Sequence, residues 1–264
     1  MRLTIDHRTR YSFTEPQARI VQLLRVTPQD HDGQTVAGWR IDIDHDCRLR
    51  EGRDGFGNIT TMLYIEGPVT EFEIAVHGEV LTEPRNGLVA GAPDPLPALL
   101  FTRSTTLTQP DAAIVALAQA APTPEALNRA IHERIRLTAG RPTLGRTAAE
   151  TLAEGRGMSR DIAHLFVSAV RAAGYPGRFV AGHCLACTDG PAAQPHSWAE
   201  VMIADKGWMA FDPCFGTHAE IDYVRVAAGL DASDATPVSG ARDGGGIEML
   251  DVAVEVDGQS QGEE

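Results

Sequence analysis

Five apolar residues, Ile162, Leu165, Phe166, Ala169 and Val170, recur at i, i+3, i+4, i+7 and i+8, the pattern of one buried helix face. Both ends of this run are marked. Gly155-Arg156-Gly157-Met158 leads into Ser159, where the periodicity begins, and Gly174 and Pro176 end it. Glycine admits a left-handed stop and proline blocks continuation. Ser159 therefore stands at a helix N-terminus, where unpaired N–H groups and the macrodipole favour negative charge. That is a suitable place for an acyl-transfer nucleophile. Downstream come His196-Ser197-Trp198-Ala199-Glu200 and Gly207-Trp208-Met209-Ala210-Phe211-Asp212-Pro213. The chain order is nucleophile position, histidine, aspartate.

The sequence before this helix changes character part-way. Leu3, Ile5, Tyr11 and Phe13 predict a first strand, and Ile20 to Val26 a second. Trp39, Ile41 and Ile43 alternate with polar residues, and the Asp54-Gly55-Phe56-Gly57-Asn58 turn leads to strands over 59–65 and 69–80. This spacing predicts an antiparallel β-sandwich-like module over residues 1–85. Residues 83–110 are rich in Pro and Gly and mark a boundary. Ala- and Leu-rich helices are expected over 111–120, 123–137 and 146–153, with Thr123 as N-cap and Pro124 at the first helical position. Strands over 178–185, 196–203, 208–211, 223–227 and 247–256 follow the central helix. They complete a core spanning 86–257, and 258–264 reads as a disordered tail. The class is α+β.

A formal charge of −13 argues against a nucleic-acid partner or an anionic membrane surface, either of which needs a basic face. No run approaches the roughly 18 apolar residues of a membrane helix. Met1-Arg2-Leu3-Thr4-Ile5-Asp6 lacks the pattern of a signal peptide, so a cytoplasmic location is expected. Asn58-Ile59-Thr60 fits a glycosylation acceptor but is read as part of a turn.

His196 opens one strand and Asp212 closes the next, with Ala204-Asp205-Lys206-Gly207 as the hairpin turn. An antiparallel hairpin places these two residues at the same end, away from the turn. Taken singly, a serine at a helix start is a cap and a His–Asp pair is structural. Resemblance carries the reading further. Gly157-Met158-Ser159-Arg160-Asp161-Ile162-Ala163-His164-Leu165-Phe166 resembles the helix-opening motif of the bacterial transglutaminase-like superfamily. Arg178-Phe179-Val180-Ala181-Gly182 and the histidine and aspartate segments resemble its next blocks, in order. Residues 1–82 resemble its N-terminal module. The resemblance implies a papain-like core, cysteine-type chemistry on an amide or peptide substrate, and no metal or organic cofactor. It implies a triad of residue 159, His196 and Asp212, with hydrolysis favoured over cross-linking.

The family has cysteine where this chain has Ser159. A thiol at that place can persist as a thiolate, whereas a serine hydroxyl must lose its proton during attack. Ser159 is therefore expected to be weak or inert. Three readings stand open: an introduced replacement of cysteine, a pseudoenzyme that binds peptide without cleaving it, and a working serine nucleophile. Trp208 and His164 are assigned to the substrate-binding wall, each with a core role as the alternative. Cys184-Leu185-Ala186-Cys187 has metal- or redox-type spacing but is read as two thiols. Cys214, two residues past Asp212, sits on the wrong element for a nucleophile. Asp161 is read as dipole support, and Glu200 as an anchor rather than an acid.

Overall fold

The computed structural model describes residues 1–140, 145–185 and 195–259. The described residues form two six-stranded antiparallel sheets, a two-stranded parallel pair and a small helical layer. The first part contributes β1 (Arg2–Leu24), β2 (Gln34–Ile43), β3 (Arg48–Arg53), β4 (Ile59–Thr82) and the short β5 (Leu88–Val89). Helices α1 (Ala112–Ala120) and α2 (Pro124–Arg134), β6 (Arg136–Leu137), α3 (Ala148–Glu154) and β7 (Arg156–Gly157) precede the central α4 (Ser159–Ala172). Then come β8 (Gly177–Cys184), β9 (His196–Ile203), β10 (Gly207–Asp212), β11 (Thr217–His218) and β12 (Tyr223–Gly229). A single helical turn, α5 (Ala232–Ala235), leads to β13 (Val238–Asp243) and β14 (Glu248–Gln259). The α+β class stands.

The N-terminal sheet differs from the expected set of short strands. The first two expected strands are one 23-residue strand, β1, and residues 59–82 are likewise one strand, β4. They pair along their whole length, with register shifts between Ser12, Gln17 and Arg19. Pro16 and Pro68 fall at this irregularity, where a residue without an N–H does not interrupt a ladder. The two halves share a core of Tyr11, Phe13, Ile20, Leu24, Leu63, Ile65, Phe72 and Ile74. The expected sandwich-like module is thus built from a single antiparallel sheet whose two halves share one core.

A second correction concerns the C-terminal strands. Strand β13 pairs with the second half of β1 and β14 with the first half, from Phe13↔Glu248 to Arg2↔Gln259. They complete the N-terminal sheet rather than the core to which 238–257 was assigned. The expected tail at 258–264 begins inside β14, and 260–264 lie outside the described residues.

The core sheet runs β11-β10-β9-β8-β12, with β5 beside β10. Helix α4 packs on the face carrying Phe179, Ala199, Val201 and Phe211. Its inner residues from Asp161 to Arg171 are all buried, which is why its apolar content exceeds a single stripe. Helices α1, α2 and α3 surround it. Thr123 caps α2 as expected, and Gly155, at φ 64, ends α3 in the left-handed conformation that glycine takes without strain. The opposite face of the sheet carries Val180, Trp198, Ala210 and Tyr223.

Where the two sheets meet, the rings of His7 and His183 pack edge to face, their centroids 5.6 Å apart. Burial pushes His7 down to about 4 and His183 down to about 3, and it also pushes His31 and His164 down to about 4. The unfolded chain takes up these protons near pH 6.5, before the folded protein does, so stability is complete above that pH and falls as the solution is acidified. Each histidine contributes a slope of about 1.4 kcal/mol per pH unit between 6.5 and its folded value. Urea denaturation is expected to show this loss between pH 6.5 and 4.5, before carboxylate protonation dominates. In His183→Phe, which keeps the ring contact with His7, the slope should decrease by one histidine's share.

Candidate active site

The head of α4 is set by the chain on both sides. Strand β7 pairs in parallel with β6, which fixes the approach of Arg156 and Gly157. Met158 occupies the N-cap, and its N–H donates to the Asp161 carboxylate at 3.1 Å. Asp161 thus caps the helix, as expected from its place in the first turn. Ser159 is the first helical residue and is half-buried.

Strands β9 and β10 pair from Ile203↔Gly207 to Ala199↔Phe211. The first residue of β9, His196, and the last of β10, Asp212, therefore lie at the same end. His196 Nε2 and Asp212 Oδ2 are 2.6 Å apart, with both side chains buried. The Tyr223 hydroxyl donates to the same Oδ2 at 2.9 Å, and the Cys214 N–H donates to Oδ1 at 2.8 Å. Burial opposes charge on Asp212, but His196 and these donors outweigh it and hold the carboxyl below its usual range. An ionised partner assigns the imidazole proton to Nε2 and leaves Nδ1 as the basic nitrogen. The ring lies among Trp198, Phe215 and Tyr223, with centroids 5.9–6.3 Å away. The structure joins His196 and Asp212. Among the described residues no hydrogen bond connects Ser159 to the imidazole.

His196, Asp212 and Cys214 form a triad-like group, their donor atoms within 4.8 Å of one another. These are also the donors a metal ion would find here. Cys214 is buried, and burial together with Asp212 pushes its thiol well above the ordinary value. The group is thus a hydrogen-bonded cluster of protonated thiol, imidazole and carboxylate. A thiolate there would face an adjacent carboxylate without a helix dipole to offset it.

The two residues expected to line a substrate wall are placed elsewhere. Trp208 is 5% exposed; its indole N–H donates to Asp94 at 2.6 Å, and the Arg178 guanidinium lies 4.0 Å above its ring. His164 is 1% exposed and its Nε2 accepts the Ala232 N–H, tying α4 to α5. Both are buried and held by neighbouring groups of the protein. Cys184 is disulfide-bonded rather than a free thiol, and Cys187 lies outside the described residues. Glu200 is completely buried between Arg178 at 2.5 Å and Arg225 at 2.7 Å, an anchor as expected. Burial opposes its charge, but the two guanidinium groups pull it down to about 2. The sequence reading missed the role of Tyr223, which opens a buried strand and gave no signal of a polar function.

Residues 114–213 match the transglutaminase-like superfamily, and residues 3–81 match the bacterial transglutaminase-like N-terminal region. The chain carries a bacterial transglutaminase-like N-terminal region and a transglutaminase-like core. An uncharacterized protein of Mycobacterium leprae (strain TN) is 24% identical over 97% of this chain and 98% of its own length. The crystal structure of a candidate cysteine protease from Cytophaga hutchinsonii superposes with a TM-score of 0.80 at 18% identity. That comparison covers 100% of this chain and 92% of the other, so the fold is shared end to end. No helix among the described residues is long and apolar enough to cross a membrane.

In this transglutaminase-like core, Glu200→Ala would leave two buried guanidinium groups without their carboxylate. Removing one partner of a buried pair costs roughly 3–5 kcal/mol. Guanidinium denaturation of the variant is expected to show a loss of that size, with Glu200→Gln losing less because it retains hydrogen-bond acceptance.

Proposed function

We propose that the chain is an acyl-transfer scaffold directed at amide or peptide carbonyls, with hydrolysis favoured over cross-linking. In this reading Ser159 occupies the nucleophile position, His196 Nδ1 takes its proton and Asp212 orients the ring. The Ser159 backbone N–H, free at the head of α4, contributes to holding the oxyanion. The observation that carries the reading is the 2.6 Å bond between His196 Nε2 and the Asp212 carboxylate. It fixes the tautomer that a general base requires, with Nδ1 directed away from the orienting group. The shared fold with a candidate cysteine protease supports the same class of chemistry.

Serine makes this scaffold weak. An imidazole that stabilises a thiolate in advance does not ionise a hydroxyl, which must be deprotonated as it attacks. We infer turnover lower by orders of magnitude than a cysteine at position 159 would give. The competing reading is a peptide-binding pseudoenzyme, favoured by serine at the one position where the chemistry calls for a thiolate. Cys214 does not substitute, since its buried thiol is held protonated beside Asp212.

Alkylation separates the two readings. Ser159→Cys is expected to react with iodoacetamide at neutral pH, with residue 159 identified by peptide mass spectrometry. Adding His196→Ala should slow that reaction on the order of 10²-fold. Cys214 should remain unmodified in the folded protein throughout. A thiol at 159 that reacts at the rate of a free cysteine, with or without His196, would leave only the binding reading.

A further inference from the structure

The N-terminal module reaches β12, the edge strand of the core sheet, through three side chains. The Gln34 carboxamide forms a two-way bond with the Arg225 backbone: the Arg225 N–H donates to Oε1 at 2.8 Å, and Nε2 donates to the Arg225 carbonyl at 3.0 Å. Asn58 repeats the pattern at Ala228, with both bonds at 2.8 Å. Between these two points β12 shifts register against β8, so its outer edge presents backbone groups that no regular neighbour strand would match. Two carboxamides take the place of that missing strand, each satisfying one N–H and one carbonyl. The third contact is the Thr82 hydroxyl, which donates to the Ile221 carbonyl just ahead of β12. Gln34 and Asn58 are buried, at 2% and 1% exposure, so solvent does not compete for these bonds.

The first residue of β12 is Tyr223, flanked by the Thr82 and Gln34 contacts. Its hydroxyl donates to Asp212 Oδ2, the oxygen that His196 also engages. Two donors on one oxygen share its charge, so the strength of the tyrosine bond determines how much is left for the imidazole. We propose that the N-terminal module acts on the His196–Asp212 pair by holding β12 so that Tyr223 stays on Asp212. Tyr223 is then a positioning residue, and the β module has a role in the site despite contributing no side chain to it. The inference rests on the proposed reading of this pair as the acid–base centre. It concerns a different step, however, and needs no reaction to be observed.

The test is the proton resonance of the His196 Nε2–H, seen at low field in the full-length protein and assigned by its loss in His196→Gln. Tyr223→Phe should move it further downfield, because the carboxylate oxygen regains charge and draws the imidazole proton more strongly. Gln34→Met, which removes the clamp without adding charge, should move it in the same direction but less. The double variant should shift no further than Tyr223→Phe alone, since both changes act through one bond. Thr82→Val provides an independent release of β12 if Gln34→Met does not fold. A resonance unmoved by Tyr223→Phe overturns the role of the tyrosine. One that moves with Tyr223→Phe but not on releasing β12, or shifts that add in the double variant, overturns the role of the module. Failure of the alkylation experiment at position 159 would leave these outcomes readable, because they require no thiol.

Discussion

Asp212 is out of contact with solvent and still carries its charge, because donors reach it from separate parts of the chain. His196 comes from the start of β9, the Cys214 N–H from the turn after β10, and the Tyr223 hydroxyl from β12. They converge on one carboxylate from two strands and a turn. A buried charge left unsatisfied is costly, and each of the three donors offsets part of that cost. The carboxylate therefore selects one arrangement of the sheet end and rejects looser ones. Glu200 does the same further along the same face, with Arg178 and Arg225. Two anions and two cations thus sit on an otherwise apolar surface, each within reach of an opposite charge or a donor.

In the proposed reading, what this arrangement can catalyse depends on the atom at position 159. The imidazole is held in the tautomer that accepts a proton at Nδ1, a condition that suits sulfur and oxygen alike. The two elements differ in when they ionise. A thiol at a helix N-terminus can lose its proton before substrate arrives, whereas a hydroxyl loses it only as the carbonyl is attacked. The surrounding protein can be unchanged and the outcome still differ greatly. This is how a family's architecture and its chemistry separate.

The sequence revealed the local parts of this site more clearly than the long-range ones. The α4 boundaries, the β9–β10 hairpin and the shared end of His196 and Asp212 follow from periodicity and turn residues, which act over a few positions. Trp208 and His164 were misplaced because an aromatic or imidazole ring in a motif looks the same whether it faces a cleft or a neighbouring helix. The long strands were each split because the apolar pattern lapses between Phe13 and Ile20 and between Ile65 and Val69, although a register shift lets each strand pass through. Asn58 looked like a turn residue, and only the fold reveals its two bonds to Ala228, 170 positions later. Contacts of that separation leave no periodic trace.

The pairing of Arg2 with Gln259 brings the two extremes of the described chain together in one sheet. Strand β1 is synthesised well before β13 and β14, and one of its edges stays uncovered until they follow. During that interval a long strand with alternating apolar side chains offers open N–H and carbonyl groups to any other strand nearby. Loop closure over such a span is slow compared with hairpin formation. Completion of this sheet therefore waits for the last strands of the described chain.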